Sequence, residues 1–206
     1  MSYSLLANRV WPVAGSSTLV RNIVLAVAGS LFVAAAAQIT VPIGGPVPIT
    51  LQTLAVLMVG AAYGSRLGAA TLGLYTLEGA VGLPFFAGGK AGIADAKLDY
   101  FLPAGSMGYL VGFILAAWLV GKLIESGWGS SIVKSVLATL AGAVVLYIPG
   151  LIWLTIWFAK SKGLDAAAAF QQALVWGLYP FVLVDIVKVA IAGLVPAAAM
   201  GFGRKA

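Results

Sequence analysis

The sequence predicts an all-α integral membrane protein with six transmembrane helices. Of its 206 residues, 62% are hydrophobic and 9% are charged, and the mean hydropathy is +1.05. Soluble domains do not have this composition. The apolar runs are continuous and rich in alanine, glycine and leucine. They therefore predict helices rather than the alternating strands of a membrane barrel.

Prolines, glycines and charges divide the chain into six spans of a single membrane domain, 1–206. No charge occurs over 22–65, which is enough chain for two spans, and the proline-rich stretch 41–48 separates them. A long outer connection is expected between the third and fourth spans. A short interfacial helix over 166–176 is expected before the sixth, because one helix over 166–200 would be about 52 Å long. The spans are placed at about 22–40, 50–64, 67–83, 105–121, 135–158 and 179–200.

The distribution of lysine and arginine sets the expected orientation. With both termini inside, the cytoplasmic side carries more basic residues than the outer side, as membrane proteins prefer. The inner set is Arg9, Arg21, Arg66, Lys122, Lys134, Arg204 and Lys205, and the outer set is Lys90, Lys97, Lys160 and Lys162. The sequence therefore predicts that both termini are cytoplasmic.

Several kinds of chemistry are disfavoured by the composition. The chain has neither histidine nor cysteine, so thiol and imidazole catalysis and most transition-metal sites are not expected. Neither Gly-Lys pair is followed by serine or threonine, so no phosphate-binding loop of the Walker type is present. ATP, if it is used, is used by another chain. The net charge of +6 is interpreted as a topology signal rather than as a nucleic-acid surface.

The sixth predicted span contains two opposite charges, Asp185 and Lys188. They lie three residues apart and so share one face of a helix. A charge near the middle of a bilayer costs about 2.5–3.5 kcal/mol, and pairing offsets part of that cost. One interpretation is a structural ion pair within the bundle. The other is a polar wall in a ligand pocket.

Two further patterns also have alternative interpretations. Tyr75 and Glu78 share a face of the third span. Glu78 either belongs to a ligand site or extends its side chain to the membrane interface. Ala26, Ser30 and Ala34 form a small-residue face on the first span that lets another helix approach closely. That helix belongs either to this bundle or to a partner protein.

Several segments of the sequence form an ordered set of motifs. Residues 48–57 read PITLQTLAVL, residues 74–84 read LYTLEGAVGLP, and residues 108–113 read GYLVGF. Phe86-Ala87-Gly88-Gly89 and Pro180-Phe181 followed by Asp185-x-x-Lys188 complete the set, which covers about 22–200. Together these motifs resemble the BioY family, the biotin-binding S-components of energy-coupling factor transporters. The sequence departs from the family at 104–109, where a Gly-Pro-Thr sequence usually precedes Gly-Tyr.

The resemblance implies biotin bound near the extracellular side and residence in the inner membrane of a prokaryote. It also implies a membrane T-component and two ABC-type ATPases as partners, no cofactor and no catalysis by this chain. It places Asp185 and Lys188 in the ligand site, and it matches the face of Ala26, Ser30 and Ala34 to the surface that docks on the T-component.

The chemistry of biotin suggests further site residues. A buried lysine pairs with a carboxylate, and Asp185 and Gln52 can bind the amide-like ureido group. Glu78 is a further candidate for substrate binding. Aromatic side chains can cover the apolar rings, and the candidates are Tyr75, Phe85, Tyr109 and Trp153. An S-component for another vitamin, an intramembrane enzyme that uses the Asp/Lys pair, and a structural membrane protein without a ligand are the alternative functions.

Overall fold

The computed structural model describes residues 5–12, 17–92 and 105–196, which form a bundle of helices. The helices are α1 (Leu6–Val10), α2 (Ser17–Gln38), α3 (Gln52–Tyr63), α4 (Ser65–Ala80), α5 (Met107–Glu125), α6 (Ile132–Lys162), α7 (Ala166–Gly177) and α8 (Val182–Gly193). Two short strands, β1 (Thr40–Val41) and β2 (Ile49–Thr50), lie between α2 and α3. A single 3-10 turn, Trp128–Ser130, precedes α6.

The predicted all-α membrane fold is confirmed. By length and apolar composition, α2, α5 and α6 can each cross a bilayer, and α7 with α8 forms a fourth candidate that is bent by 55° at the break between them. The remaining two predicted spans correspond to α3 and α4, which have 12 and 16 residues. The count of six spans stays a prediction.

The proline-rich break predicted at 41–48 is the loop of a small hairpin. β1 and β2 pair antiparallel, with Thr40 opposite Thr50 and Val41 opposite Ile49. Because prolines cannot continue a helix, the chain leaves α2 here and returns into α3. The hairpin thereby holds Pro48 over the end of the bundle at which α3 begins.

The predicted turn between the second and third spans lies at Gly64. This glycine has φ +84°, a left-handed conformation that suits glycine, and it separates α3 from α4. The carboxylate of Glu125, at the end of α5, accepts hydrogen bonds from the Ser65 backbone N–H (2.8 Å) and hydroxyl (2.7 Å). The negative charge therefore stabilises the first turn of α4 and ties it to α5.

Helices α5 and α6 pack with their backbones in close contact. A Cβ atom placed on Gly108 would collide with the Pro149 carbonyl oxygen, and one on Gly112 would collide with the Leu146 carbonyl oxygen. Small residues permit this approach between membrane helices. The contact fixes how both helices are rotated, and thus where Tyr109 and Tyr147 point. α6 continues through Pro149 without interruption.

The predicted helix before the last span is present as α7. Asp165 caps its start by accepting a hydrogen bond from the Ala168 N–H at 2.9 Å. α7 ends at Gly177, and after the predicted break the chain enters α8 at Val182, which places Asp185 in the first turn. The location of α7 at the membrane surface stays a prediction.

Candidate functional site

A cavity lies at the end of the bundle where α3 and α5 begin. Its empty space is ≈ 620 Å³, open solvent at its mouth included. Its wall is mostly apolar, with aromatic rings and a few hydroxyl and amide groups. The lining residues are Val47, Pro48, Thr50, Gln52, Thr53, Phe86, Ala87, Ser106, Tyr109, Leu110, Phe113, Leu146, Tyr147 and Phe181. An apolar cavity with few polar groups is typical of a small-molecule site.

One polar part of the wall is centred on Gln52, at the start of α3. Its side-chain N–H₂ group donates to the Tyr75 hydroxyl at 2.7 Å, and that hydroxyl donates to the Phe85 carbonyl oxygen at 3.0 Å. The chain of bonds fixes the Gln52 amide, whose side-chain oxygen accepts no hydrogen bond from the described residues. Gln52 therefore offers the cavity an oriented acceptor.

The second polar part is Tyr147, on α6. Its hydroxyl donates to Oδ2 of Asp185. Oδ1 of Asp185 lies 2.7 Å from Nζ of Lys188, and the two side chains are 7% and 3% exposed. The ion pair therefore lies directly behind Tyr147 rather than in the wall itself. Its burial is possible because the two charges pair and Tyr147 satisfies the second carboxylate oxygen.

Tyr109, on α5, joins this region to α6 and α7. Its ring packs edge-to-face on Tyr147 with the centroids 6.0 Å apart, and its hydroxyl donates to the Gly177 carbonyl oxygen at 2.8 Å. That bond satisfies the last turn of α7, just before the break that leads into α8. Tyr109 therefore supports both the cavity wall and the position of the helix that carries the ion pair.

A family model described as the BioY family matches residues 7–202. The chain belongs to the BioY family. It is 37% identical over 169 residues to the "Probable biotin transporter BioY" of Pyrococcus horikoshii, an alignment that covers 81% of this chain and 90% of that protein. It is 34% identical over 181 residues to the "Biotin transporter BioY" of Rhodobacter capsulatus, covering 85% of this chain and 90% of that protein.

The fold also resembles a solved structure, that of the S-component for biotin from an ECF-type ABC transporter. The TM-score is 0.72, and the match covers 92% of this chain and 95% of that one, at 22% sequence identity. This likeness shows that the fold is shared. The family membership and the fold agree with the resemblance found from the sequence motifs, and the chain is a multi-pass membrane protein.

The predicted site residues of this BioY-family chain fall into two groups. Gln52 and Tyr109 line the cavity. Tyr75 lies one hydrogen bond behind Gln52, and Asp185 with Lys188 lies one hydrogen bond behind Tyr147. These residues are brought together as one site, although not all of them face the cavity.

Three predicted residues occupy other positions. The side chain of Phe85 does not line the cavity, and its backbone carbonyl is the part that reaches the site, through Tyr75. Trp153 is half-buried beside Gly108 and also lies outside the lining. Glu78 is absent from the lining too, and its buried Oε2 has no hydrogen-bond partner among the described residues. The lining of this cavity therefore does not include Phe85, Glu78 or Trp153, and their role in ligand binding stays a prediction.

The residues missed from the sequence include Tyr147, Phe86 and Phe181. Tyr147 was detectable in principle, because it is the one tyrosine within the apolar fifth span and lies two residues before a proline. Phe86 packs edge-to-face on Tyr75 at 5.8 Å and occupies the place expected for Phe85. The hydroxyl residues Thr50, Thr53 and Ser106 carried no distinguishing signal.

The small-residue face of α2 packs inside this bundle. Ser30 is 0% and Ala34 6% exposed, and a Cβ on neighbouring Gly29 would collide with Thr71 of α4. The expectation that Ala26, Ser30 and Ala34 together present a docking surface is therefore wrong for Ser30 and Ala34, and the alternative of internal packing holds for these two. The exposed face of α2 consists of larger apolar side chains, namely Ile23, Val24, Val27, Leu31 and Phe32.

Proposed function

We propose that this chain is the biotin-binding S-component of an ECF-type uptake transporter. The observation that carries the proposal is the cavity itself, an apolar and aromatic space with oriented polar groups on α3 and α6 and a buried ion pair behind one of them. Biotin combines an apolar bicycle and tail with a ureido group and a carboxylate. The names of the relatives and of the solved structure support the same ligand.

The ureido group of biotin suits the Gln52 side of the cavity. A ureido group has two N–H donors and a carbonyl acceptor, and the free oxygen of the Gln52 amide can accept one of those N–H groups. Thr50 and Thr53 line the cavity nearby, and their hydroxyls can donate to the ureido carbonyl. The aromatic rings of Phe86, Tyr109 and Phe181 then cover the apolar bicycle.

The carboxylate suits the Tyr147 side. Lys188 has three N–H donors, and its one hydrogen bond within the described residues goes to Asp185. Both oxygens of Asp185 are occupied, by Lys188 and Tyr147, which favours a role for Asp185 in holding Lys188 over direct contact with the ureido group. In this proposal the Tyr147 side chain turns aside as biotin binds. Lys188 then donates a hydrogen bond to the carboxylate of biotin.

The cavity opens, in this proposal, to the outside of a prokaryotic inner membrane, with both termini in the cytoplasm. Arg21, Arg66 and Lys122 meet at the opposite end of the bundle, as the positive-inside rule requires of a cytoplasmic end. A T-component and two ATPases then supply the energy for release to the inside, and this chain catalyses no reaction.

Calorimetric titration of the purified chain in detergent tests the proposal. We expect one biotin to bind per chain, with no measurable heat from riboflavin or thiamin at the same concentration. Binding of either of those vitamins in place of biotin would assign the chain to another ligand. Absence of binding by all three, in a sample shown to be folded by circular dichroism, would contradict an S-component of this class.

A further inference from the structure

A second cleft lies at the end of the bundle opposite the biotin cavity. It opens between α1, the start of α2, the α3–α4 turn and the end of α5, and its empty space is ≈ 1300 Å³, open solvent included. The cavity and the cleft are separated along α5, because Ser106 lines one and Lys122 the other, about 24 Å apart at 1.5 Å per residue. The cleft is therefore not part of the biotin site.

The cleft carries three cations and too few anions to neutralise them. Arg21 is only 8% exposed, yet its guanidinium donates to neutral oxygens, those of the Asn8 side chain (3.0 Å), the Asn22 side chain (2.9 Å) and the Trp11 carbonyl (3.3 Å). Among the described residues, no carboxylate lies within ion-pair distance of Arg21. A buried cation without a counter-ion favours binding of an anion.

The other charges at the cleft strengthen this preference. Arg66 and Lys122 are exposed and line the same space. The one acid in the lining, Glu125, carries a single negative charge against three positive ones, and both of its oxygens already accept hydrogen bonds from Ser65. A guanidinium and an ammonium that line the same cleft are suited to the oxygens of a phosphate group.

The lining becomes apolar away from these charges. Ile23 and Ala26 on α2 and Leu67 and Ala70 on α4 line the cleft on the side that leads into the membrane-spanning part of the bundle. A free phosphate or a soluble anion would leave this apolar surface unused. A phospholipid matches both parts, because its charged head group and its acyl chain are joined in one molecule.

We propose that the cleft binds an anionic phospholipid, with its phosphate between Arg66 and Lys122 and within reach of the Arg21 charge. One acyl chain lies along the α2–α4 groove formed by Ile23, Ala26, Leu67 and Ala70. Basic pockets between helices on the cytoplasmic side bind anionic head groups in this way, and each basic residue contributes. The lipid thereby joins α2 to α4 and α5 at the end remote from the ligand.

Native mass spectrometry of the purified chain with defined lipids tests this site. The probes are dioleoylphosphatidylglycerol, which is anionic, and dioleoylphosphatidylcholine, which is zwitterionic. The wild type is expected to retain one phosphatidylglycerol in preference to phosphatidylcholine. The Arg66→Gln/Lys122→Gln variant should bind phosphatidylglycerol at least about tenfold more weakly, because two head-group charges lose their partners. Both substituted side chains are exposed, so the fold is expected to persist, with an unchanged melting temperature as the check.

A matched control removes two charges elsewhere. The Lys160→Gln/Lys162→Gln variant has the same net charge as the test variant, and it should retain phosphatidylglycerol like the wild type. Equal loss in both variants would mean general charge attraction and would overturn a specific site. Equal retention of the two lipids by the wild type would also overturn it.

Two further outcomes identify other occupants. Displacement of the lipid by inorganic phosphate in hundredfold excess would show a site for soluble anions, in which the apolar groove takes no part. If the test variant retains phosphatidylglycerol but no longer co-purifies with co-expressed transporter subunits, the cleft docks a protein. Either result would contradict the lipid proposal without bearing on biotin binding.

Discussion

The charged side chains at the two ends of this bundle differ in how they are buried and paired. At the cavity proposed to bind biotin, Asp185 and Lys188 are almost fully buried and neutralise each other at 2.7 Å. At the basic cleft, Arg66 and Lys122 stay exposed, and neutral groups surround the Arg21 guanidinium. Deep in a bilayer a charge must be paired, whereas at the rim water or lipid head groups can solvate it. Position along the bundle thus decides whether a charge becomes structural or remains available.

The first test of the contrast asks whether the two ends lie on opposite sides of the membrane. Ser126 precedes α6 and Ser161 lies near its end, and a helix of 31 residues is about 46 Å long. Because the native chain has no cysteine, Ser126→Cys and Ser161→Cys give clean labels. We expect a membrane-impermeant maleimide to label only Ser161→Cys in intact cells and both after lysis. The reverse pattern would place the basic end outside.

The next largest effect is expected from Lys188→Met, which removes the cation proposed to bind the biotin carboxylate. Charge-assisted hydrogen bonds contribute about 1.5–3 kcal/mol, so biotin should bind at least about tenfold more weakly in a calorimetric titration. The affinities of the wild type and the variant for the uncharged biotin amide should differ much less.

Lys188→Met also leaves Asp185 buried without its partner, which can destabilise the fold by about 3–5 kcal/mol. The double variant Asp185→Asn/Lys188→Met avoids this and serves as the control for folding. If the folded double variant binds biotin and its amide as the wild type does, the ion pair is purely structural and the assignment of Lys188 is wrong.

A smaller effect is expected from Tyr147→Phe. The change removes only the hydroxyl that donates to Asp185, a hydrogen bond that contributes about 1 kcal/mol and that the proposed turning of Tyr147 breaks when biotin binds, so biotin affinity should rise by about fivefold. Tyr109→Phe is the matched control, since its hydroxyl bonds the Gly177 backbone instead. It should lower the melting temperature and leave biotin affinity nearly unchanged. An equal change of affinity in both variants would contradict a special role for Tyr147, and a lower affinity of Tyr147→Phe would contradict its turning aside.

The smallest effect on biotin binding is expected at the other end of the molecule. Arg66→Gln alters the basic cleft, and sites more than about 10 Å apart without shared partners act independently. Biotin affinity in detergent should therefore stay within about twofold of the wild type. A larger change would mean that the two ends are energetically coupled rather than independent.

Features that depend on local pattern are predictable from the sequence alone. Hydropathy and the continuous apolar runs predict a helical membrane protein, because backbone groups in lipid must bond within their own segment. The prolines of 41–48 and the glycine at Gly64 predict breaks, which the hairpin and the α3–α4 turn confirm. The pairing of Asp185 with Lys188 follows from their i, i+3 spacing on one helix.

Which side chains face the cavity depends instead on how the helices pack against one another. Each residue advances a helix by about 100°, so the rotation of a helix selects Tyr147 rather than Trp153 for the wall. That rotation is set by backbone contacts at Gly108 and Gly112, which involve residues distant in the chain. Likewise Gly29, packed against α4, turns Ser30 and Ala34 inward rather than toward a partner. Local pattern does not specify such contacts, because they depend on two helices at once.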